Sequence, residues 1–486
     1  MYQEVIQPRQ LMESVYQSPP RRRAAAHPGF VSLAVGSLFP DIAENIYCYG
    51  EDYSAIRRST LQALENIDMD MIEPHHRVNL LASEHGFSIL GGEPYREMLA
   101  AIRDVIEERT GCENVYLGVA AYRGFRETQE VIEAFRLREL FDGRLFDFGP
   151  YDEGVAIDTE VGTLYGVKKA YDADWIVHSY YDDPREMYFH RFLGRSFKAF
   201  IMSYARLESR SAYHYSYKNR SCNFLPVAIF RSPFVRERYA FSCIMRMSPA
   251  GILTIDADND LFALDRRITR GQLERYGKIQ QLFEAIDECI AVIDGGRWGY
   301  YVHAGGVTFG VYMFSNCSGR SILDLDSASA LMMIDEVPFE QRANLATGML
   351  SEGINPALKA VVINQQWAGI PFLNLFSKPI YIVGKDQLEY LKLDRANPLF
   401  KDLGNLGLIK AAPDFEAAMK KAYRTARTDN VLIFDGSFGH FNLSPSLADE
   451  MVEKAPAVSM KVEDELLPVW LSQRGLTLQD DDVRRR

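Results

Sequence analysis

The stretch Val78-Asn-Leu-Leu-Ala82, followed by Ser83-Glu-His-Gly-Phe-Ser88 and then by the segment 94–109, decides how this chain reads. The first run is apolar and short enough for a buried strand, the second is loop-forming, and Met98, Ile102, Val105 and Ile106 recur at helical spacing. Strand, loop and helix in that order make one winding of an α/β sheet. The unit then repeats. Residues 114–121 are strand-like, 127–140 helix-like and 155–160 extended; 166–173 predicts a helix and 175–180 the next strand. This rhythm predicts a largely parallel, doubly wound sheet, whose ligands bind outside the carboxyl ends of its strands. The loops 83–88, 120–126 and 182–198 each follow a predicted strand, so all three are expected at that edge.

Further along, 234–255 is apolar and contains methionine, 265–286 is charged and helix-like, and 295–310 is rich in glycine and aromatics. The alternation returns with a strand at 379–383, a helix at 413–428, a strand at 431–434 and the turn Asp435-Gly-Ser-Phe-Gly-His440. A domain boundary is expected within 270–278. The chain as a whole reads as a two-domain α/β protein of doubly wound, Rossmann-like sheets with its site in the interdomain cleft. The divisions are an N-terminal arm (1–29), an α/β domain (30–272) carrying the site, a second α/β domain (273–470) and a polar tail (471–486).

At 486 residues the chain exceeds one ordinary core, which agrees with two large domains. A net charge of -12 disfavours nucleic acid as a partner. The cysteines, Cys48, Cys112, Cys222, Cys243, Cys289 and Cys317, are scattered without a C-x-x-C pair, the pattern of reduced thiols in a cytoplasmic protein. Arg21, Arg22 and Arg23 precede no apolar core of signal-peptide length, and no apolar run is long enough to span a membrane, so neither secretion nor membrane insertion is expected.

The phosphate-loop, dinucleotide-fingerprint, zinc-protease and nucleophile-elbow motifs are all absent. The clusters Asp294-Gly-Gly-Arg-Trp-Gly299 and Ala304-Gly-Gly306 let a backbone approach a ligand closely, or are ordinary turns. His75 and His76 read as loop residues, and His303 and His440 lie in glycine-rich turns. Two basic residues stand out. Lys198 closes the run His190-Arg-Phe-Leu-Gly-Arg-Ser-Phe-Lys198, and His214 follows sixteen positions later in Ser211-Ala-Tyr-His214. No single helix or strand joins side chains at that separation, whereas two loops at one sheet edge do.

In these residues the chain resembles the nickel-pincer lactate racemase family. The family motif P-H-x-x-A-G-x-S-G-G-R-K is matched at His190, Gly194, Ser196 and Lys198, with two residues fewer and without the paired glycines. In the family the lysine carries the covalently tethered cofactor, a nickel-pincer nucleotide (pyridinium-3-thioamide-5-thiocarboxylic acid mononucleotide), and a histidine downstream ligates the nickel. The resemblance gives those roles to Lys198 and His214. Ser83-Glu84-His85-Gly86-Phe87 stands where the family has D-H-T-R-P, so Glu84 replaces the aspartate and Phe87 the arginine. Ala120-Ala-Tyr122-Arg123-Gly124 stands where it has G-T-H-R-P, so Tyr122 replaces the second catalytic histidine. The family's C-terminal Q-x-x-K element has no counterpart here.

The implied chemistry is racemisation or epimerisation of a 2-hydroxy acid, a sugar acid being one candidate. Imidazole suits the in-plane position of square-planar nickel, the role given to His214. Acylation removes the charge of Lys198 and lets it tolerate burial. His190 suits the base that takes the hydroxyl proton. Tyr122, with an ordinary pKa of about 10, is a weak base in the matching role. Glu84 with His85 either orients that base or is a loop pair without catalytic duty. Substrate carboxylate binding falls to Arg123, Arg126, Arg191 or Arg195, because guanidinium pairs bidentately with carboxylate. The partners implied are the 2-hydroxy acid and the cofactor-synthesis enzymes, with a homo-oligomer left open. A protein that kept the fold, lost the cofactor and binds a small acid or a partner is the alternative.

Overall fold

A computed structural model describes residues 22–42, 44–121, 125–182, 195–213, 224–294, 355–365, 378–386 and 409–478. The chain forms two compact units that divide between Gln272 and Leu273, within the helix Leu261–Ala285. An amino-terminal unit comprises Asn45–Gln272 with the segment from Arg474, and a carboxyl-terminal unit comprises Leu273–Gln473 with the segment up to Glu44. Residues 30–44, grouped by sequence with the first domain, thus belong with the second. The cause is strand pairing: β1 (Val31–Ala34) lies antiparallel to β15 (His440–Leu443).

The amino-terminal unit is built on β2 (Val78–Ser83), β3 (Val115–Ala120), β4 (Leu145–Phe148), β7 (Trp175–Tyr181) and β8 (Tyr239–Ser248), all parallel. The sheet order is β4-β3-β2-β7-β8-β9, with β9 (Gly251–Asp258) antiparallel at the edge. Every residue of β2 is buried, as a strand covered on both faces requires. The helix Glu93–Thr110 follows, burying Met98, Ile102, Val105 and Ile106 as their spacing predicted. Two expectations need correction. The extended stretch at 155–160 is not in this sheet: β5 (Gly154–Thr159) pairs antiparallel with β6 (Gly162–Val167) as a separate hairpin. The helix expected over 166–173 shrinks to Lys168–Tyr171, because the residues before it are taken up by β6. Gly162, at φ +108°, supplies the left-handed backbone that turns this hairpin.

The carboxyl-terminal unit carries β10 (Cys289–Asp294), β11 (Leu358–Gln365), β12 (Ile380–Val383), β13 (Ile409–Ala412) and β14 (Val431–Phe434), all parallel. Its order is β1-β15-β14-β10-β11-β12-β13. The helix Phe415–Ala426 packs Phe415, Ala418, Met419 and Ala422 over Val292, Val362 and Tyr381. Asp414 caps it by accepting from the Ala417 N–H at 2.8 Å, so its start is set by sequence as well as by packing.

Both sheets are doubly wound. In the first, successive strands step from β2 to β3 and β4, then return to the other side of β2 with β7 and β8. In the second they step from β10 through β13, then return with β14. The switch points lie at β2/β7 and β10/β14, and their carboxyl ends are where such sheets hold ligands. Among the described residues no helix is long and apolar enough to cross a membrane.

Candidate functional site

At the β2/β7 switch point each strand ends on a carboxylate, Glu84 after Ser83 and Asp182 after Tyr181, both nearly buried. Ala120 closes β3 beside them, in register with Ser83. Parallel pairing therefore brings the starts of the three predicted loops to one edge. Thr128, fully buried on the helix Phe125–Ala134, donates to Glu84 Oε2 at 2.9 Å. His85 is buried too, with Nδ1 at 3.4 Å from Ser83 Oγ. Thr128 thereby fixes one carboxylate oxygen of Glu84 at this edge.

Phe87, at the family's arginine position, is a core residue. Its ring centroid lies 5.1 Å from both Tyr95 and Phe135, so it contacts no substrate at this edge. Gly86 is there because nothing larger fits. A Cβ would stand 2.3 Å from Cε1 of Tyr95, whose hydroxyl donates to the Ser179 carbonyl at 3.1 Å. Gly86→Ala is expected to cost about 1–3 kcal/mol by overpacking, read as a lower urea midpoint with an unchanged slope.

Lys198 opens the helix Lys198–Ile201, half-buried between Phe197 and Ala199. Two residues earlier, Ser196 donates its N–H to Asp265 Oδ1 at 3.0 Å and accepts at its carbonyl from His178 Nε2 at 3.1 Å. With Nε2 donating, His178 Nδ1 accepts the Tyr204 hydroxyl proton at 2.7 Å. Burial lowers the His178 pKa to about 3, the bond to Ser196 opposing the shift. His178 sits four residues before Asp182, about 13 Å along the strand. The segment leading to Lys198 is therefore anchored against the middle of β7, below the edge that carries Glu84.

The helix Leu207–Ser211 approaches that edge at β3: buried Arg210 donates to the Ala205 carbonyl at 3.0 Å and to that of Ala121 at 3.4 Å. The described chain continues from it to Tyr213. His214, His190, Tyr122, Arg123 and Arg191 lie outside the described residues, and Arg126 and Arg195 are described in backbone only. Of the residues the resemblance assigns to the cofactor, Lys198 alone is described, half-buried beside Phe197.

No family model and no curated protein matches the chain. The likeness to the lactate racemases therefore rests on the residues quoted above.

Sequence reasoning passed over Thr128, Asp182 and His178. Thr128 shares one helical face with Val131, Ile132 and Phe135, and a polar residue on an apolar face was the available signal. It also passed over a second polar centre at the β10/β14 switch point. There Asp294 ends β10 fully buried, with Asp435 following β14. Burial, with Asp435 adding to it, raises the Asp294 pKa to about 6 against Arg23, the Ala24 N–H and Asn364. Each aspartate closes an all-apolar strand, a pattern visible in the sequence.

One described group has a metal-ligand composition: Glu73, His75 and His76, with ligand atoms within 4.8 Å of one another. Its geometry speaks against an ion. His76 Nδ1 accepts from the Glu73 N–H at 2.9 Å and from Trp175 Nε1 at 3.1 Å, so Nε2 carries the proton and neither nitrogen offers a free lone pair.

Proposed function

We propose that this chain is a lactate racemase-like enzyme that racemises or epimerises a 2-hydroxy acid at the carboxyl edge of the β2–β3–β7 sheet. The observation that carries the reading is the convergence of three loop starts on one switch point, with Glu84 buried there and held by Thr128. Lys198 is the proposed tether of a nickel-pincer nucleotide and His214 the proposed nickel ligand. When bound, that cofactor supplies a reversible acceptor for the hydrogen of the substrate's 2-carbon. His190 takes the hydroxyl proton in this reading, and Tyr122 or Glu84 serves the opposite hand. Arg123, Arg126 or Arg195 pairs with the substrate carboxylate, and the protein works in the cytoplasm.

A second reading has a specific observation in its favour. Because the segment before Lys198 is anchored level with His178, a tethered group must extend along the sheet face to reach Glu84. A protein that binds the small acid at this edge without the cofactor meets no such demand. The two readings separate by assay. Protein produced with the cofactor-synthesis enzymes is expected to interconvert the hands of at least one 2-hydroxy acid in a polarimetric screen, and Lys198→Ala to lose that activity entirely. Saturable stabilisation by an acid, equal in wild type and Lys198→Ala and without turnover, supports the non-catalytic reading instead.

A further inference from the structure

We propose that residues 22–26 form a strap that fills, in cis, a guanidinium-binding crevice at the β10/β14 switch point. Arg23 spans the two strands that flank this point. Its Nη2 donates to the main-chain carbonyl of Asp435 at 2.6 Å, and its Nε lies 3.4 Å from Asp294 Oδ2. The same carboxylate oxygen accepts the Ala24 N–H at 2.7 Å. Asn364, at the end of β11, uses both amide hydrogens here, one to Asp294 Oδ1 and one to the Arg22 carbonyl, each at 2.9 Å. The Asp435 carboxylate is directed elsewhere: it accepts from Asn442 Nδ2 at 2.8 Å and from the Ser437 N–H at 3.0 Å, which fixes the turn that presents its carbonyl.

The crevice thus takes a guanidinium together with a peptide N–H and a peptide carbonyl, at the place where doubly wound sheets bind ligands. Two features let the strap exchange although Ala24 and Ala25 belong to the buried core. Its core side chains are the small ones of Ala24 and Ala25, and its polar contacts to Asp294, Asp435 and Asn364 can exchange with solutes of like chemistry. It is also joined to β1 through Pro28 and Gly29, and Gly29, at φ +97° with no atom within 4 Å of a Cβ position, is a free hinge. Release of the strap parts the His27 ring from Phe415, 4.5 Å away, and leaves the pairing of β1 with β15 in place. In place it closes the crevice to any guanidinium-bearing ligand, a free one or an arginine of a basic peptide.

The test is chemical rescue in the full chain with ethylguanidinium as the probe. Arg23→Ala is expected to lower Tm by a few degrees and to speed hydrogen exchange of residues 22–29 by about tenfold or more. Millimolar ethylguanidinium is expected to restore the Arg23→Ala Tm saturably, but not that of Arg23→Ala with Asp294→Asn. In wild type, where the strap competes at high effective concentration, the probe is expected to shift Tm far less than in Arg23→Ala and to speed exchange of residues 22–29 in proportion to its concentration. This last measurement stands even if Arg23→Ala does not fold. Absence of saturable rescue in a folded Arg23→Ala, or wild-type exchange that ethylguanidinium does not change, would overturn the proposal.

Discussion

Replacing His178 by glutamine is expected to flatten the acid limb of the stability curve. In the folded protein His178 is buried and neutral, its pKa lowered by burial to about 3 from an ordinary 6.5. Below pH 6.5 the unfolded chain binds a proton that the folded chain refuses, so stability is full above that pH and is lost as pH falls toward 3. The two pKa values put that loss at about 2 kcal/mol by pH 5 and about 3 kcal/mol by pH 4. Glutamine does not titrate, and its amide can still donate to the Ser196 carbonyl. His178→Gln should therefore cost about 1 kcal/mol at pH 8, where the Tyr204 hydroxyl loses the imidazole and keeps the longer bond to the Leu81 carbonyl at 3.3 Å, and should match or exceed wild type by pH 5. Urea unfolding at the two pH values checks this, and parallel curves would mean that His178 titrates alike in the folded and the unfolded chain. The residue matters to the site because its bond to Ser196 anchors the segment leading to Lys198.

The second large effect is expected at Asp256. Its carboxylate accepts from Arg246 Nη1 at 3.1 Å and from Arg267 Nη2 at 3.0 Å and Nε at 3.2 Å, while Arg246 Nη2 reaches the Arg267 carbonyl at 3.1 Å. Arg246 and Arg267 are both buried, and the network ties β8 and β9 to the helix Leu261–Ala285. Asp256→Ala removes the central acceptor from two buried guanidiniums, of which, among the described residues, Arg267 alone keeps a second carboxylate, Asp258 at 2.9 Å. The expected cost is about 3–5 kcal/mol, the range for breaking a buried ion pair from one side. Asp256→Asn keeps one acceptor oxygen and should cost clearly less. Equal midpoints for Asp256→Ala and wild type in chemical denaturation would show that the guanidiniums are solvated.

The winding around β2 was legible because its signals are local: an apolar run, a loop, and apolar residues at helical period. The same local signals misplaced 155–160. An extended apolar-polar stretch looks alike inside a sheet and in a separate hairpin, and only the turn at Gly162 distinguishes them. The charges of 265–286 read as an ordinary charged helix, yet Lys278 is fully buried between Asp41 and Glu463, partners that no local pattern connects to it. Glu84 could be picked out because it stands where the resembling family has an aspartate. Thr128, which holds it, could not, since its role depends on how the helix Phe125–Ala134 packs against the strand edge. Arg23 lay in a stretch that read as an arm, and its place at a switch point follows from the pairing of β1 with β15.

The central claim is that Lys198 carries a cofactor. Intact-mass and nickel analysis of protein produced together with the cofactor-synthesis enzymes tests it most directly, with a known lactate racemase loaded in parallel. The predicted result is one nickel per chain and a single covalent adduct on Lys198, both lost in Lys198→Ala. Unmodified, nickel-free protein, from cells in which the racemase loads fully, would contradict it.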